Sequence, residues 1–459
     1  MNRHIIWIMI FWGMITLQGC LVCNKPERLQ LQPLPERLTA APEITDLKIT
    51  ADLLNLVGDQ RISAMVDEAL ENNQDLAATA LRLKAAGLLL SGTEAAMLPK
   101  LDAGYTGNRN NRSLDRQVQG SHRVGLNLSW EMDLWGRLAD LHDARKEAFQ
   151  GQQFGFLRAM DSLAARVLQT CFIAKSRQMA LAVQEKRVAL YEKIGQTILT
   201  RFHAGIGTLD EMAAARSKTL VARSDLAQAG QALHASLRDL EVLMGRYPKA
   251  ALDLPDRLPD VALPSPRVPA AILANRPDIL AAAKAYESAV KEAGASHKAR
   301  LPAITLTADI FKDNAWLGRL SSSPITWETV GSLLMPVFNA GKLRDEARAA
   351  DTLAQAAFKD YAQTVLLAMK EAETTFYRET ILKERLFHLT LARKEAEKNR
   401  QYYEGRFRDG ISDIQALHTA LDQELDIMAG LIDIKAQRVV NRIDMALSLG
   451  TGVMERKEK

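Results

Sequence analysis

The chain contains two copies of one large unit. Arg-Phe-His-Ala-Gly-Ile at residues 201–206 returns as Arg-Phe-Arg-Asp-Gly-Ile at residues 406–411, an offset of 205 positions. The same offset relates residues 135–138 to 340–343 and residues 243–245 to 448–450, while an offset of 203 relates 75–99 to 278–302. Solenoid repeats have periods of about 20–50 residues. The chain is therefore a duplication of a whole module, with a two-residue slip between Pro99 and Gly136.

The prolines mark where long helices are permitted. All fifteen lie at 26–99 or 248–336. Proline removes a backbone donor and clashes with the preceding turn, so long helices exclude it. The two proline-free tracts therefore predict very long helices. Six residues of the first recur at steps of three and four, as in a helix packed on other helices: Phe156, Met160, Leu163, Val167, Cys171 and Ala174.

Each tract contains the repeated glycine, Gly205 or Gly410. Glycine adopts the left-handed conformation at a helix end at little cost. Each tract is therefore predicted to fold back at this glycine into a helical hairpin. Arms of roughly 40–60 residues would reach on the order of 60–90 Å.

The N-terminus is predicted to be a secretory signal. Arg3 supplies a positive charge, and residues 5–17 are an apolar stretch too short to span a bilayer. The stretch ends in Leu17-Gln-Gly-Cys20, which is similar to a bacterial lipobox, so Cys20 is the predicted lipidation site and Cys23 a poorer candidate. Leu21 rather than Asp follows the cysteine, which favours the outer membrane.

Other cysteine chemistry has little support in the sequence. Cys20 and Cys23 have redox or zinc spacing, but no second pair or histidine cluster completes a metal site. Cys171 is expected to be a buried apolar residue. We therefore predict no metal and no cofactor.

Strict alternation from Arg123 to Asp133 predicts a β-strand. Val124, Leu126, Leu128, Trp130 and Met132 share one face, and Asn127, Ser129 and Glu131 lie on the other. A partner strand begins at Leu101, and the second copy repeats the pattern at 304–310 and around 333–337. Such strands usually edge a globular sheet, but strands of about 9–11 residues also match a tilted membrane crossing. Four strands cannot close a barrel, and open edges in lipid are prohibitive. Such a chain must assemble with copies of itself.

Four segments, in order, resemble the TolC-like outer membrane efflux proteins, and among them the lipoprotein branch of the OprM/NodT type. They are Ser129-Trp-Glu-Met-Asp-Leu-Trp-Gly-Arg137, Asn275-Arg-Pro-Asp-Ile279 with Leu301-Pro302, and the two Arg-Phe-x-x-Gly segments. The resemblance covers about residues 60–452. It implies a mainly α fold with a membrane β-barrel. Three chains would form a twelve-stranded barrel continued by a periplasmic α-helical barrel.

The resemblance also implies an exit duct without catalytic activity. The two hairpin tips would bind a periplasmic adaptor linked to an inner-membrane pump of the resistance-nodulation-division (RND) type. The implied docking residues are Arg201, Phe202, Gly205, Arg406, Phe407 and Gly410. Both arginines are expected to donate to carbonyls left open at the helix end or to the backbone of the adaptor. The alternative is that both only cap their own helices. Ala416 and Thr419 stand where many members carry the carboxylates of an aperture ring, so Asp413 becomes the aperture candidate, with Asp422 farther along.

Other classes of function fit less well. Net charge is +4 without a basic block, which argues against nucleic-acid binding. The eight histidines are scattered and no phosphate-binding loop is present, which argues against an enzyme. A periplasmic adaptor would carry a single hairpin. The closest rival is the outer-membrane duct of a type I protein or peptide secretion system, which shares the fold.

The sequence suggests six segments. They are a signal peptide (1–19), a lipidated segment (20–60), the first repeat (61–250), a proline-rich linker (251–268), the second repeat (269–452) and a charged tail (453–459).

Overall fold

The fold is taken from a computed structural model of the chain. The structure describes residues 58–111, 118–259, 261, 263, 272 and 275–452. The predicted signal and Cys20 lie outside the described residues. Two compact units are found. The first contains residues 92–111, 118–146 and 286–362, and the second contains residues 58–91, 147–285 and 363–452 where described. Each unit takes residues from both copies.

Apart from a first short helix and a 3₁₀ helix between the last two strands, the described elements follow each other as helix, strand, strand and two helices, twice. In chain order they are α1 (Gln60–Asn72), α2 (Gln74–Ala95), β1 (Lys100–Asn111), β2 (Val118–Met132), α3 (Arg137–His203), α4 (Leu209–Leu243), α5 (Pro277–Lys298), β3 (Ala303–Asn314), a 3₁₀ helix (Leu317–Ser322), β4 (Thr326–Leu334), α6 (Lys342–Arg408) and α7 (Ile414–Ser448). In the described part of the chain, no helix is apolar over a stretch long enough to cross a bilayer.

The duplication is confirmed at the level of whole elements. Helices α2 and α5 each have 22 residues, and strands β1 and β3 each have 12. Helices α3 and α6 each have 67 residues, and α4 and α7 each have 35. The first two pairs are related by the offset of 203 and the last two by 205, so the slip falls between the first strand of each copy and the long helix.

The predicted arm length of roughly 40–60 residues was wrong for both arms. The outgoing arm has 67 residues and the returning arm 35, so the arms are about 100 Å and about 50 Å long. Prolines give only the outer limits of a helical tract. The actual ends are set by caps, such as the capping box of Thr208 and Glu211 and the turn that closes on Met244.

The strands form one antiparallel sheet in the order β1-β2-β3-β4. Leu128 pairs with Leu101 and Ala308, and Asn127 pairs with Asp102 and Asp309. The alternation predicted for residues 123–133 is confirmed, because β2 gives the sheet one apolar and one polar face. The Asn127 amide donates to the Asp309 carboxylate at 2.7 Å on the polar face.

The fourth strand lies earlier than predicted. Its predicted centre was at 333–337, but β4 ends at Leu334, which pairs with Ala303 at the start of β3. Pro336 has no N–H to donate to a ladder, so Met335 and Val337 follow the strand instead of belonging to it. Because β4 is defined by its pairing with β3, it consists mainly of the more polar residues that precede residue 333.

The core of the second unit forms along the predicted seam of α3. Leu163, Val167 and Cys171 are buried in it, and Phe156 and Met160 pack against it. Residues from α1, α4 and α7 complete the cluster: Ile62, Val66, Leu240, Met244, Val439 and Ile443. Cys171 is fully buried, and burial raises the pKa of its thiol to about 12. It is an inert packing residue, as predicted.

One anchor is built twice with different side chains. The Asn73 amide donates to the carbonyl of Leu243 at 2.9 Å, at the end of the returning helix of the first copy. At the equivalent place the Arg276 guanidinium donates to the carbonyl of Ser448 at 3.1 Å. Arg276 also forms a bidentate pair with Asp278. The Asn-Arg-Pro-Asp-Ile segment therefore ties the start of the second repeat to the end of α7.

A polar junction joins α3, α4 and α7 in the second unit. The Tyr191 hydroxyl and the Lys218 ammonium both donate to the carboxylate of Asp422. These two donors hold the pKa of Asp422 below its usual value although burial opposes the shift. His418 is 2% exposed, packs edge-on against Tyr191 at 5.3 Å between ring centroids, and keeps Nδ1 without a hydrogen-bond partner.

We predict that this junction loosens in acid because of His418. Burial, aided by the positive charge of Lys218 and opposed by Asp422, lowers the pKa of His418 from its usual 6.5. Above pH 6.5 the ring is neutral whether the junction is closed or open. As the pH falls from 6.5 toward the lower folded pKa, only the opened state binds a proton, so the free energy of opening decreases.

Hydrogen exchange measures this opening. Between about pH 7.5 and about pH 5.5, amides of residues 414–425 should lose protection after correction for the intrinsic pH dependence of exchange. His418→Gln, which does not titrate, should remove the pH-dependent part. An equal loss of protection in His418→Gln would show that another group is responsible.

Candidate functional site

Each long helix ends in the same tight turn. Gly205 and Gly410 have φ of +75° and +73°, as predicted for glycines that reverse a helix. The N–H groups of Ile206 and Gly207 donate to the carbonyl of Arg201, at 3.0 and 3.2 Å. The second turn repeats these bonds onto the carbonyl of Arg406. This pattern satisfies carbonyls that a helix end otherwise leaves open.

The tip glycines are required by the backbone and not by crowding. A Cβ placed on Gly205 or Gly410 would meet nothing within 4 Å. The cost of a side chain there is therefore conformational, about 1–2 kcal/mol for the left-handed region. Below we call residues 201–208 tip one and residues 406–413 tip two.

Each returning helix starts with a capped N-terminus. Thr208 and Glu211 form a reciprocal capping box in tip one. In tip two the Asp413 carboxylate accepts from the N–H of Ala416 at 2.8 Å. Asp413 is also exposed. The structure therefore gives Asp413 a capping bond, and its aperture role stays a prediction.

Among the described residues, neither tip arginine donates from its side chain to a carbonyl at a helix end. Their own carbonyls are the acceptors in the turns, while their guanidinium groups lie on aromatic rings. Arg201 lies 5.4 Å from the ring centroid of Phe407, and Arg406 lies 5.5 Å from that of Tyr402. Arg406 also donates to the Tyr402 hydroxyl at 2.7 Å, and its Nε is buried without a partner.

The two tip phenylalanines differ in burial. Phe407 is 9% exposed and belongs to a cluster with Ile198, Ala215, Ile414 and Leu417. These residues come from α3, α4, α6 and α7, so the cluster packs both tips together. Phe202 is only half-buried and has an edge contact with His203.

Sequence reasoning missed the apolar surface of the tips. Ile206 and Ile411 are 70% and 64% exposed, and Leu209 beside them is 64% exposed. The signal was present, because isoleucine follows the glycine in both copies of the repeated segment. These exposed apolar side chains make the two tips a candidate contact surface.

The sheet offers the second candidate surface. On its apolar face Leu101, Leu126 and Ile310 are 63%, 46% and 52% exposed. At one end of the sheet two tryptophans are fixed through indole N–H groups, Trp130 to the carbonyl of Met97 and Trp135 to that of Pro302. Exposed Trp316 and Trp327 lie toward the opposite end. Aromatic residues at both ends of an apolar band are typical of a membrane-facing sheet.

Comparison with known proteins identifies the family. The family described as "Outer membrane efflux protein" matches at residues 65–246 and 268–451. The cation efflux system protein CusC of Escherichia coli K12 is 25% identical over 460 residues, covering 95% of this chain and 97% of CusC.

Two further proteins are similar. The toluene efflux pump outer membrane protein TtgI of Pseudomonas putida is 29% identical over 329 residues, covering 68% of each chain. The crystal structure of the Campylobacter jejuni CmeC outer membrane channel superposes with a TM-score of 0.86 at 21% identity, covering 95% of this chain and 96% of CmeC. With both repeats matched, the chain belongs to the outer membrane efflux protein family.

Proposed function

We propose that this protein is the exit duct of a tripartite efflux system in the outer membrane. It would receive drugs or other small toxic compounds from a periplasmic adaptor and an RND-type inner-membrane pump. The observation that carries the proposal is a sheet with an exposed apolar face, present in one chain with two long helical hairpins, in a member of this family. The role is transport without catalysis.

The relatives support efflux over the type I secretion alternative. CusC is named for cation efflux and TtgI for a toluene efflux pump. The names of these two relatives refer to different substrates, a cation and toluene. We therefore attribute substrate choice to the pump and passage to the duct.

The four-stranded sheet supports a homotrimer. Its outer strands are β1 and β4, and in lipid an unpaired strand edge leaves backbone groups without partners. Pairing β4 of one copy with β1 of the next closes the sheet, and three copies supply twelve strands. The apolar face would then meet lipid, and the face with Asn127 and Asp309 would line the lumen.

Helix α6 offers a second surface for copies of the chain. Leu366, Tyr377, Leu391 and Tyr402 are 46–64% exposed in the single chain. Their spacings of 11, 14 and 11 residues are close to whole numbers of helical turns, so they form one stripe along the helix. In a trimeric α-barrel a neighbouring chain would cover this stripe.

The N-terminal lipid adds a second attachment to the membrane. We propose that Cys20 is the lipidated mature N-terminus, after removal of residues 1–19. Acyl chains contribute affinity for every buried methylene. The barrel would still hold the protein in the bilayer, so the lipid supports sorting and assembly.

The facing of β2 generates the first of three predictions for this function. Leu128→Arg places a charge toward lipid and should cost about 2–4 kcal/mol near the midplane. Asn127→Arg, one residue away, places the same charge beside Asp309 on the polar face. Leu128→Arg should strongly reduce the amount of trimer in isolated outer membranes, and Asn127→Arg should not. Equal trimer yields from the two variants would contradict the proposal that Leu128 faces lipid and Asn127 faces the lumen.

Asp413 is proposed to narrow the entrance of the duct by its charge. Ser can replace the capping bond to Ala416 but carries no charge, whereas Ala loses both, at a cost of about 1 kcal/mol for the cap. Asp413→Ser and Asp413→Ala should therefore raise single-channel conductance in planar bilayers to the same extent. If Asp413→Ser conducts like wild type, Asp413 serves only as a helix cap.

Docking at the tips is tested with glycine variants. Gly410→Val forces a β-branched residue into the left-handed region, whereas Gly405→Val lies in the same helix with open space around it. Gly410→Val, Gly205→Val and Arg406→Ala should give normal trimer but fail to restore drug tolerance in a strain lacking the duct. They should also lose cross-linking to the adaptor, unlike Gly405→Val. Normal efflux by the tip variants at wild-type abundance would place the docking site elsewhere.

A further inference from the structure

The two duplicated arginines contact different parts of the molecule. Arg201 ends the first long helix, yet its guanidinium lies over Phe407, which belongs to the second long helix. Arg406 stays on its own helix, where it stacks on Tyr402 and donates to its hydroxyl. Equivalent positions on nearly identical turns are therefore used asymmetrically.

The cause of the asymmetry is one residue in each long helix. Tyr402 lies four residues before Arg406, on the same side of the helix. The equivalent position before Arg201 is Thr197, whose hydroxyl donates to the carbonyl of Lys193 at 3.1 Å. Thr197 offers no ring, so the cation of Arg201 reaches the ring in tip two.

The ring of Phe407, on which Arg201 lies, contacts the helices around both tips and so couples the position of Arg201 to tip two. Phe407 is buried among residues of four helices, including Ile198 one turn before Arg201 and Ile414 just after tip two. A cation held over a buried aromatic ring is bound more strongly than one over an exposed ring. The Arg201 guanidinium therefore covers this cluster on the side of the Phe407 ring, next to the two turns.

We propose that Arg201 is a positioning residue that fixes tip two through Phe407, so that Ile206 and Ile411 are presented to a partner as one composite surface. Arg406 has no such reach, because its guanidinium is held by its own helix. The inference rests on the proposed docking of the tips and gives them different roles, with Arg201 of tip one holding tip two in place. Arg201 in tip one fixes the conformation of tip two. A substitution at residue 201 therefore changes the mobility of residues 409–413, about 200 positions away along the chain.

Hydrogen exchange on the intact trimer tests the contact directly. Arg201→Gln and Phe407→Leu should each speed exchange of the tip-two amides at 409–413 several-fold. Phe407→Leu keeps an apolar side chain in the cluster and removes only the ring. The double variant should exchange no faster than the more affected single variant, because both changes break one interaction. Arg201→Lys, which keeps a cation above the ring, should restore slow exchange in large part.

A matched control is available at the same helix end. Arg408 is exposed, and Arg408→Gln removes an equal charge from the last turn of α6 without touching Phe407. Its exchange at 409–413 should stay at the wild-type rate. If Arg201→Gln also leaves these amides unchanged, or if Arg201→Lys exchanges as fast as Arg201→Gln, the positioning role is wrong.

Cross-linking separates this inference from the proposed docking. An Ile411→Cys protein should cross-link to the adaptor, and adding Arg201→Gln should lower the yield several-fold at equal trimer abundance. Yields that are equal with and without Arg201→Gln would overturn the composite surface. A parent Ile411→Cys trimer that never cross-links would count against docking at the tips, and the exchange rates would still decide whether Arg201 positions tip two.

Discussion

Backbone hydrogen bonding in the absence of water is the constraint on which the molecule depends. A four-stranded sheet with an apolar face cannot leave its outer strands unpaired in lipid, because each orphaned N–H or carbonyl costs several kcal/mol. One chain supplies only β1 to β4 in the described sheet, so the proposed membrane segment would be complete only in an assembly. The proposed trimer would satisfy this constraint, and a neighbouring chain in it would cover the exposed stripe on α6.

The second half of the chain repeats the architecture of the first half. The two copies differ more in their side chains than in their backbone. Both copies keep their long helices at 67 and 35 residues. Asn73 and Arg276 bond equivalent carbonyls with different chemistry. Thr208 and Asp413 cap equivalent helices, one with a hydroxyl and one with a carboxylate. The backbone bonds are local and survive substitution, whereas the side chains are free to take separate roles.

The junction of Tyr191, Lys218, His418 and Asp422 lies close to tip two, because His418 and Asp422 are about one and a half and two and a half helical turns past Asp413. A partly buried polar network of this kind adds little net stability but makes its members depend on one another. His418 with an unpartnered Nδ1 is its weakest member. Such a network favours one packing of the hairpins over others, which a purely apolar seam would specify less strictly.

The duplication, the long helices, the reversing glycines and the strand at residues 123–133 could all be predicted before the structure was known. Each of these depends on local chemistry: absent prolines, a glycine with positive φ, and alternation between two faces. Arm lengths and the position of β4 were mispredicted because caps and strand pairing, rather than proline positions, set where those elements end. Helices α2 and α5 were not predicted as elements, although the offset of 203 marked their segments. Only the tertiary structure could show that Arg201 lies on Phe407, that Phe407 is buried, and that Asp422 belongs to a junction. Those facts depend on which helices become neighbours, and residues about 200 positions apart in the chain carry no local signal of that packing.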